Sequence, residues 1–380
     1  MVIEHFLKWI ETANVTERVA AADALARAYL NLELAFEDRC AAEAGLTLLL
    51  DDPSPKVRMA LSEALSVSPM APPHVVATLA QDQPEISGFV IARSPLLNDA
   101  DLIDRAATAP CAVQKLIADR PGVSRALAAA IGEVAEPDAV VALLRNRTAT
   151  IAAITFQRVA ERLGHVAAIR SALMERPDLG ADVRHVVMRK ASDALRASPL
   201  VQALMGQARA ERITREACHG AAVSLIDSAP ADEYPALVEH LRLSGDLTIG
   251  LVLRVVAHGK IDFFAAILEM LGRQKAARVA ALLANGRDSA LSALFGAAGL
   301  PANTHVPLLA ALRTWRDVAS GRLVAGAQEV SWTMLRTIPG IASPEGPAES
   351  DREIAGLIKS IHMEQLRRNA RGHARAIAAA

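Results

Sequence analysis

Apolar residues recur along this chain at helical spacing. Between 55 and 65, Val57, Ala60, Leu61, Ala64 and Leu65 stand at i, i+3, i+4, i+7 and i+8, one stripe on a helix. Ser54 is a suitable N-cap, and Pro55 suits the first helical position, where its missing N–H would be unpaired anyway. The apolar run Leu46 to Leu50 ends just before Asp51-Asp52-Pro53. The unit is therefore a helix, a tight Asp/Pro turn, and a second helix carrying an early Arg.

The unit returns with variations. Ile86, Phe89 and Val90 repeat the stripe, with Arg93 one turn on. Val113, Leu116 and Ile117 form another, as do Val123, Ala126, Leu127, Ala130 and Ile131. Ala152, Thr155, Phe156, Val159, Ala160 and Leu163 give five helical matches in a row, and Val183, Val186, Val187, Ala191, Ala194 and Leu195 give the last. From Val57 through Ile86, Val113 and Ile151 to Val183 the steps are 29, 27, 38 and 32 residues. A period near 30, with no strand-like alternation, predicts an all-α chain: a HEAT-like helical-repeat solenoid, an α–α superhelix with a C-terminal helical region.

Beyond residue 199 the rhythm persists, but the turns use Gly and Pro, as at Gly245-Asp246, His258-Gly259-Lys260 and Gly299-Leu300-Pro301. Leu247 to Leu253 is very apolar. Its continuation through Arg254-Val255-Val256-Ala257-His258 gives it helical rather than strand length. The clearest break is Ile338-Pro339-Gly340-Ile341-Ala342-Ser343-Pro344-Glu345-Gly346-Pro347. The expected organisation is an N-terminal cap over 1–44, repeats over 45–198, a divergent continuation over 199–337, a linker over 338–350 and a basic helix over 351–380. The cap is expected because a solenoid must cover its first open face.

Composition narrows the function classes. The chain of 380 residues is 52% hydrophobic but 3% aromatic, which suits many small helix–helix contacts. Lys+Arg 41 against Asp+Glu 42 leaves a net charge of −1, so overall charge gives nucleic-acid binding no support. Cys40, Cys111 and Cys218 are far apart, without a CxxC, as in a reduced cytoplasmic protein. Met1-Val2-Ile3-Glu4-His5-Phe6-Leu7-Lys8 lacks a signal-peptide pattern, and no apolar run approaches the ~18–20 residues of a membrane helix.

Catalytic and cofactor motifs are missing. The ten histidines make no i, i+4 pair and no HExxH, and Cys218-His219 diverge by ~100° on a helix. No GxGxxG, GxxxxGK[ST] or GxSxG occurs. The expectation is a non-enzymatic chain with no cofactor and no metal. Asn14-Val15-Thr16 and Asn146-Arg147-Thr148 fit a glycosylation pattern that has no meaning in a cytoplasmic chain.

Two sets of cations are the candidate partner-binding residues. Arg58, Arg93, Arg158 and Arg184 fall in the second helices of successive repeats, where a ladder would face an acidic partner. The plainer expectation is that such arginines brace the Asp of a neighbouring turn. Arg367, Arg368, Arg371 and Arg375 lie on one side of the last helix, with Glu364 the acid nearby. They suit an acidic groove, an anionic lipid surface or nucleic acid, or simply the favourable placing of cations at a helix C-terminus.

The run from Asp52 to Leu195 resembles an uncharacterised alphaproteobacterial domain-of-unknown-function family with HEAT-like repeats. The segments that carry the likeness are Asp52-Pro53-Ser54-Pro55-Lys56-Val57-Arg58, Leu79 to Asp82, Ser94-Pro95-Leu96-Leu97-Asn98-Asp99-Ala100-Asp101-Leu102, Ile117 to Ser124, Leu143-Leu144-Arg145-Asn146 and Arg176-Pro177-Asp178-Leu179. Leu247 to Pro301 looks like a more variable continuation. The resemblance implies stacked helix pairs and no particular activity.

The expected function is a protein-interaction scaffold or adaptor with an acidic protein partner, its extended helical surface doing the binding. One alternative is an enzyme on a HEAT-like fold acting on nucleic acid or a cofactor, by analogy with base-excision and bilin-attachment proteins. Trp9, Trp315 and Trp332 all lie outside the repeats, which leaves DNA no aromatic grip. The other is a signalling adaptor that binds an anionic ligand or a membrane surface through the basic C-terminal helix.

Overall fold

The computed structural model describes Trp9, residues 12–342 and residues 346–379, with backbone only for Glu216, Ala376, Ala378 and Ala379. The N-terminal stretch read for a signal, His5, and Ser343-Pro344-Glu345 of the linker lie outside the described residues. The described chain is all-helical, with no strand among the described residues. It divides into two compact units between Leu179 and Gly180. The sequence pattern changes nearer 198. The earlier division reflects Ala181, at the start of the helix Ala181–Ala197, which belongs to the second unit's core.

The first unit comprises α1 (Val15–Asn31), α2 (Phe36–Leu49), α3 (Pro55–Leu65), α4 (Pro73–Leu79), α5 (Pro84–Arg93), α6 (Asp99–Thr108), α7 (Cys111–Ala118), α8 (Arg125–Val134), α9 (Pro137–Arg145), α10 (Ala153–Leu163) and α11 (Ala167–Met174). Local chemistry starts several of them. Asn14 accepts from the Glu17 N–H at 3.0 Å and the Glu17 carboxylate accepts from the Asn14 N–H at 2.9 Å, a capping box that satisfies two orphan donors of α1. Asn98 and Asp101 do the same for α6. Proline opens α3, α4, α5 and α9, where its fixed φ is already helical.

Helices in this unit pack on the next but one: α1 on α3, α3 on α5, α5 on α7, α7 on α9, α9 on α11, and likewise α6 on α8 and α8 on α10. The stripe residues meet at these contacts. Val57, Leu61, Leu65, Ile86, Val90, Val113, Ile117, Leu127, Ile131, Phe156 and Val159 are all buried. Ile151 is half-buried and precedes α10, whose stripe opens at Thr155 and Phe156.

Arginine and asparagine side chains tie each turn to the next. Arg18 pairs with Asp52 at 2.8 Å, and Arg58 pairs with Asp82 at 2.7 Å while donating to the Asp52 carbonyl at 2.6 Å. Ser54 sits at the N-cap position, but its side chain caps nothing. Its N–H instead donates to Asp52 Oδ1 at 2.8 Å, so Asp52 organises the turn. Further along, donors reach the last carbonyls of earlier helices. Arg120 bonds the carbonyls of Ile91 and Ser94, Asn146 those of Ala118 and Arg120, and Arg162 those of Gly132 and Ala135. Cationic or amide donors at a helix C-terminus satisfy orphan carbonyls and oppose the negative end of the dipole. Burial pulls the Asp52 and Asp82 carboxyls upward. Arg18 and the Ser54 N–H for the first, and Arg58 and the Gln83 N–H for the second, outweigh it and hold both below the usual carboxylate range.

The second unit comprises α12 (Ala181–Ala197), α13 (Pro199–Met205), α14 (Gln207–Ser228), α15 (Tyr234–Leu243), α16 (Ile249–Ala257), α17 (Ile261–Gly272), α18 (Ala276–Asn285), α19 (Asp288–Ala297), α20 (Ala302–Ala319), α21 (Ala327–Arg336) and α22 (Glu349–Ala379). The long apolar run is the helix α16, and every residue from Leu251 to Ala257 is buried. It packs against α14, α17, α20, α21 and α22, and Phe263, Phe264 and Phe295 fill the core beside it. The α16–α17 turn needs Gly259: φ is +73°, and a Cβ there would meet the Trp315 ring at 3.0 Å. Ile338 is buried and Ile341 packs on the same core, so the start of the expected linker is anchored.

Candidate functional site

The site is built on α22. Its first half, from Ile354 through Ala355, Ile358 and Ile361 to Gln365, buries an apolar stripe with a polar latch at its end. Glu364 forms an ion pair with Arg254, which stands in the middle of the apolar helix α16 with its side chain 5% exposed. Arg254 also lies 3.4 Å from His219 Nδ1 on α14. Next to it, His258 Nδ1–H donates to the Arg254 carbonyl at 2.7 Å, and its Nε2 accepts from the Gln365 amide at 2.8 Å. That arrangement needs the neutral ring, and burial holds the His258 pKa below its usual value.

Past this latch α22 buries no further residue among the described ones. Its distal half faces α14 across a groove of about 1020 Å³. Ile213, Ala217, Gly220, Ala221 and Ser224 of α14 make one wall, spaced so that small side chains share a face. At Gly220 a Cβ would stand 3.5 Å from Glu364 Oε1, which marks where the two helices come near. Arg367, Arg368, Arg371 and Arg375 line the other wall with Asn369 and His373. Asn369 is held by Gln328 Oε1 at 2.6 Å.

The electrostatics of the groove are unbalanced. Glu364 is committed to Arg254, and Arg371 and Arg375 form no ion pair among the described residues. Arg367, Arg371 and Arg375 are i, i+4 neighbours, and like charges at that spacing cost a helix about 0.2–0.5 kcal/mol per pair.

The structure therefore brings together the C-terminal set of arginines and separates the other set. Arg58 is consumed in its bracket with Asp82. Arg93 is exposed and stacks over Phe89, 5.8 Å from the ring centroid. Arg158 pairs with Glu133 at the surface. Arg184 is half-buried on α12, in the second unit. Sequence reading did not find the small-residue wall of α14, because its stripe is interrupted by charges and only the opposing helix makes it a groove. Nor did it find the carbonyl-binding arginines, whose one signal is a recurrence roughly 30 residues after their acceptors.

His185 and His240 touch at 3.2 Å. Burial, the main cause, pushes the His185 pKa down to about 4, with His240 and Arg189 acting the same way against Asp246. Cys218 and His219 of α14 and His185 of α12 line one cleft of about 520 Å³, separate from the groove. Among the described residues no group of three His, Cys, Asp or Glu is placed to hold a metal ion. Both asparagines of the glycosylation-like triplets are structural, as the α1 cap and the carbonyl bracket of α7. Among the described residues no helix is long and apolar enough to cross a membrane.

No curated protein and no solved structure matches the chain. A family model does, over residues 86–338. The match begins in α5, runs through both units and ends at Ile338, so it starts after the Asp52–Arg58 and Leu79–Asp82 segments of the resemblance and extends well past Leu195. It includes the α14 wall of the groove and leaves out α22 and its arginines. Covering about two thirds of the chain, it places this protein in DUF2336, a family of uncharacterised proteins conserved in bacteria.

Proposed function

We propose that this protein is a non-enzymatic interaction scaffold, built on HEAT-like helical repeats arranged as an α-solenoid over its first unit. It holds an acidic segment of a partner protein in the groove between α14 and α22. The observation that carries the reading is the groove itself, with Arg371 and Arg375 on one wall and Ala217, Gly220 and Ala221 on the other. Small residues let a partner helix approach closely, and the arginines supply bidentate donors for its carboxylates. The next-but-one packing of α1 to α11 supports the solenoid reading. Among the described residues no Trp, Tyr or Phe lines the groove, so a nucleic-acid strand finds no stacking platform there.

A photo-crosslinking residue at Ala217 tests this in host cells. The expected product is a crosslink to a Glu- or Asp-rich segment of one protein, lost in Arg371→Glu/Arg375→Glu while the chain still folds. Either no crosslinked protein or an unchanged crosslink in the charge-reversed chain overturns the reading.

A further inference from the structure

The helix α13 is a short connector between two long helices that pack on each other, and it buries none of its seven residues. Leu200 is 68% exposed and Leu204 is 75% exposed, with Met205 beside them. The end of α12 adds Leu195, 54% exposed. The apolar stripe of α12 thus departs from the sequence expectation: Val183, Val186 and Val187 are buried, but past Ala191 the stripe comes out into solvent. Clustered exposed apolar side chains of this size mark a docking surface.

The charges around this hairpin tip are mainly positive. Arg209, Arg212 and Arg215 on α14 are exposed and form no ion pair among the described residues. Lys190 is half-buried on α12. Of the acids near it, Asp193 is bonded to Arg196, and Glu211 accepts from Gln207. A second copy of the chain meeting this face about a two-fold axis would set these arginines against their own copies. An anionic bilayer surface complements both features. Its headgroups attract the cations, and the outer acyl boundary accepts the Leu and Met side chains.

We propose that the α12–α14 hairpin tip, with Leu200, Leu204 and Met205 at its apex and Arg209, Arg212 and Arg215 around it, docks this protein onto anionic lipid surfaces. The tip enters the headgroup region and crosses nothing. The α14–α22 groove remains available to a partner, so the scaffold is held at the membrane while it binds.

The test is co-sedimentation of the full chain with vesicles of phosphatidylcholine alone and of phosphatidylcholine with phosphatidylserine, at low and high salt. The wild-type chain is expected to sediment with the phosphatidylserine vesicles, less so at high salt, and to stay in solution with phosphatidylcholine alone. Leu200→Ser/Leu204→Ser and Arg209→Glu/Arg212→Glu are each expected to weaken binding on the order of tenfold. These residues are exposed and support no core, and thermal melts are to check that the variants fold. Equal binding by the tip variants, or no binding by the wild type, overturns the proposal. So does loss of binding in Arg371→Glu/Arg375→Glu alone, which makes the groove the lipid site. A concentration-dependent dimer that the Leu variants dissolve, without vesicle binding, makes the occupant a second copy and likewise overturns it.

Discussion

Replacing Glu364 by Leu removes one partner of the latch that fastens α22 to α16. Arg254 stays behind with its side chain 5% exposed and His219 at 3.4 Å as its remaining polar neighbour on α14. Removing one member of a buried ion pair costs about 3–5 kcal/mol, because the other charge is left without compensation. The Glu364 side chain is itself 26% exposed, so water recovers part of that, and about 3 kcal/mol is expected. The converse change, Arg254→Met, leaves the carboxylate able to rehydrate and should cost about 1–2 kcal/mol. The double change Arg254→Met/Glu364→Leu should lie within about 1 kcal/mol of wild type, since an apolar pair of similar volume replaces an ion pair with little loss. Urea unfolding followed by tryptophan fluorescence suits the measurement, because Trp315 and Trp332 both belong to the second unit. Trypsin adds a local readout, since a loosened α22 exposes its Arg367–Arg375 stretch to cleavage. Equal losses from the two single changes, or a double change as damaging as Glu364→Leu, refute the argument.

The remaining predictions test separate parts of the structure. The second unit should lose stability as pH falls from about 6.5 toward 4. The unfolded chain protonates His185 at its ordinary value and the folded chain only near 4, so the unfolded state binds the extra proton across that window. The full loss is on the order of 3 kcal/mol, and His185→Asn should flatten the slope in melts at stepped pH. Arg316 donates to the carbonyls of Leu282, Leu283 and Gly286 at the end of α18. Arg316→Met should therefore cost about 2–3 kcal/mol by urea unfolding, with a neutral effect the refuting result. Among the described residues Ser87 Oγ is buried without a hydrogen-bond partner, so Ser87→Ala should stabilise the first unit by about 1 kcal/mol. Gly259→Ala forces a side chain into a left-handed turn against Trp315. It should cost about 1–3 kcal/mol and shift the tryptophan emission.

How much of this was legible beforehand follows from how local each interaction is. The buried stripe Val57, Leu61 and Leu65 is a matter of spacing within one helix, and α16 declares itself by apolar length. Ser54 misled because Asp52, two residues earlier, competes for the same turn and wins with a carboxylate that also accepts Arg18. Arg254 could not be read: a cation inside an apolar helix makes sense only beside Glu364, 110 residues later. Leu195 fits the helical stripe perfectly in sequence, yet α12 outruns the core it packs on. In the groove, the arginine wall was visible as an i, i+4 series. The opposing wall of Ile213, Ala217 and Gly220 becomes a wall through the latch that sets α22 beside α14.

The binding of an acidic helix in that groove is tested most directly by fluorescence anisotropy with a labelled peptide rich in Glu and Ala, against a Gln-for-Glu control. The account predicts saturable binding of the acidic peptide alone, weakened by salt and at least about tenfold weaker for Arg371→Glu/Arg375→Glu. Equal binding of both peptides, or an unchanged affinity in the charge-reversed chain, would contradict it.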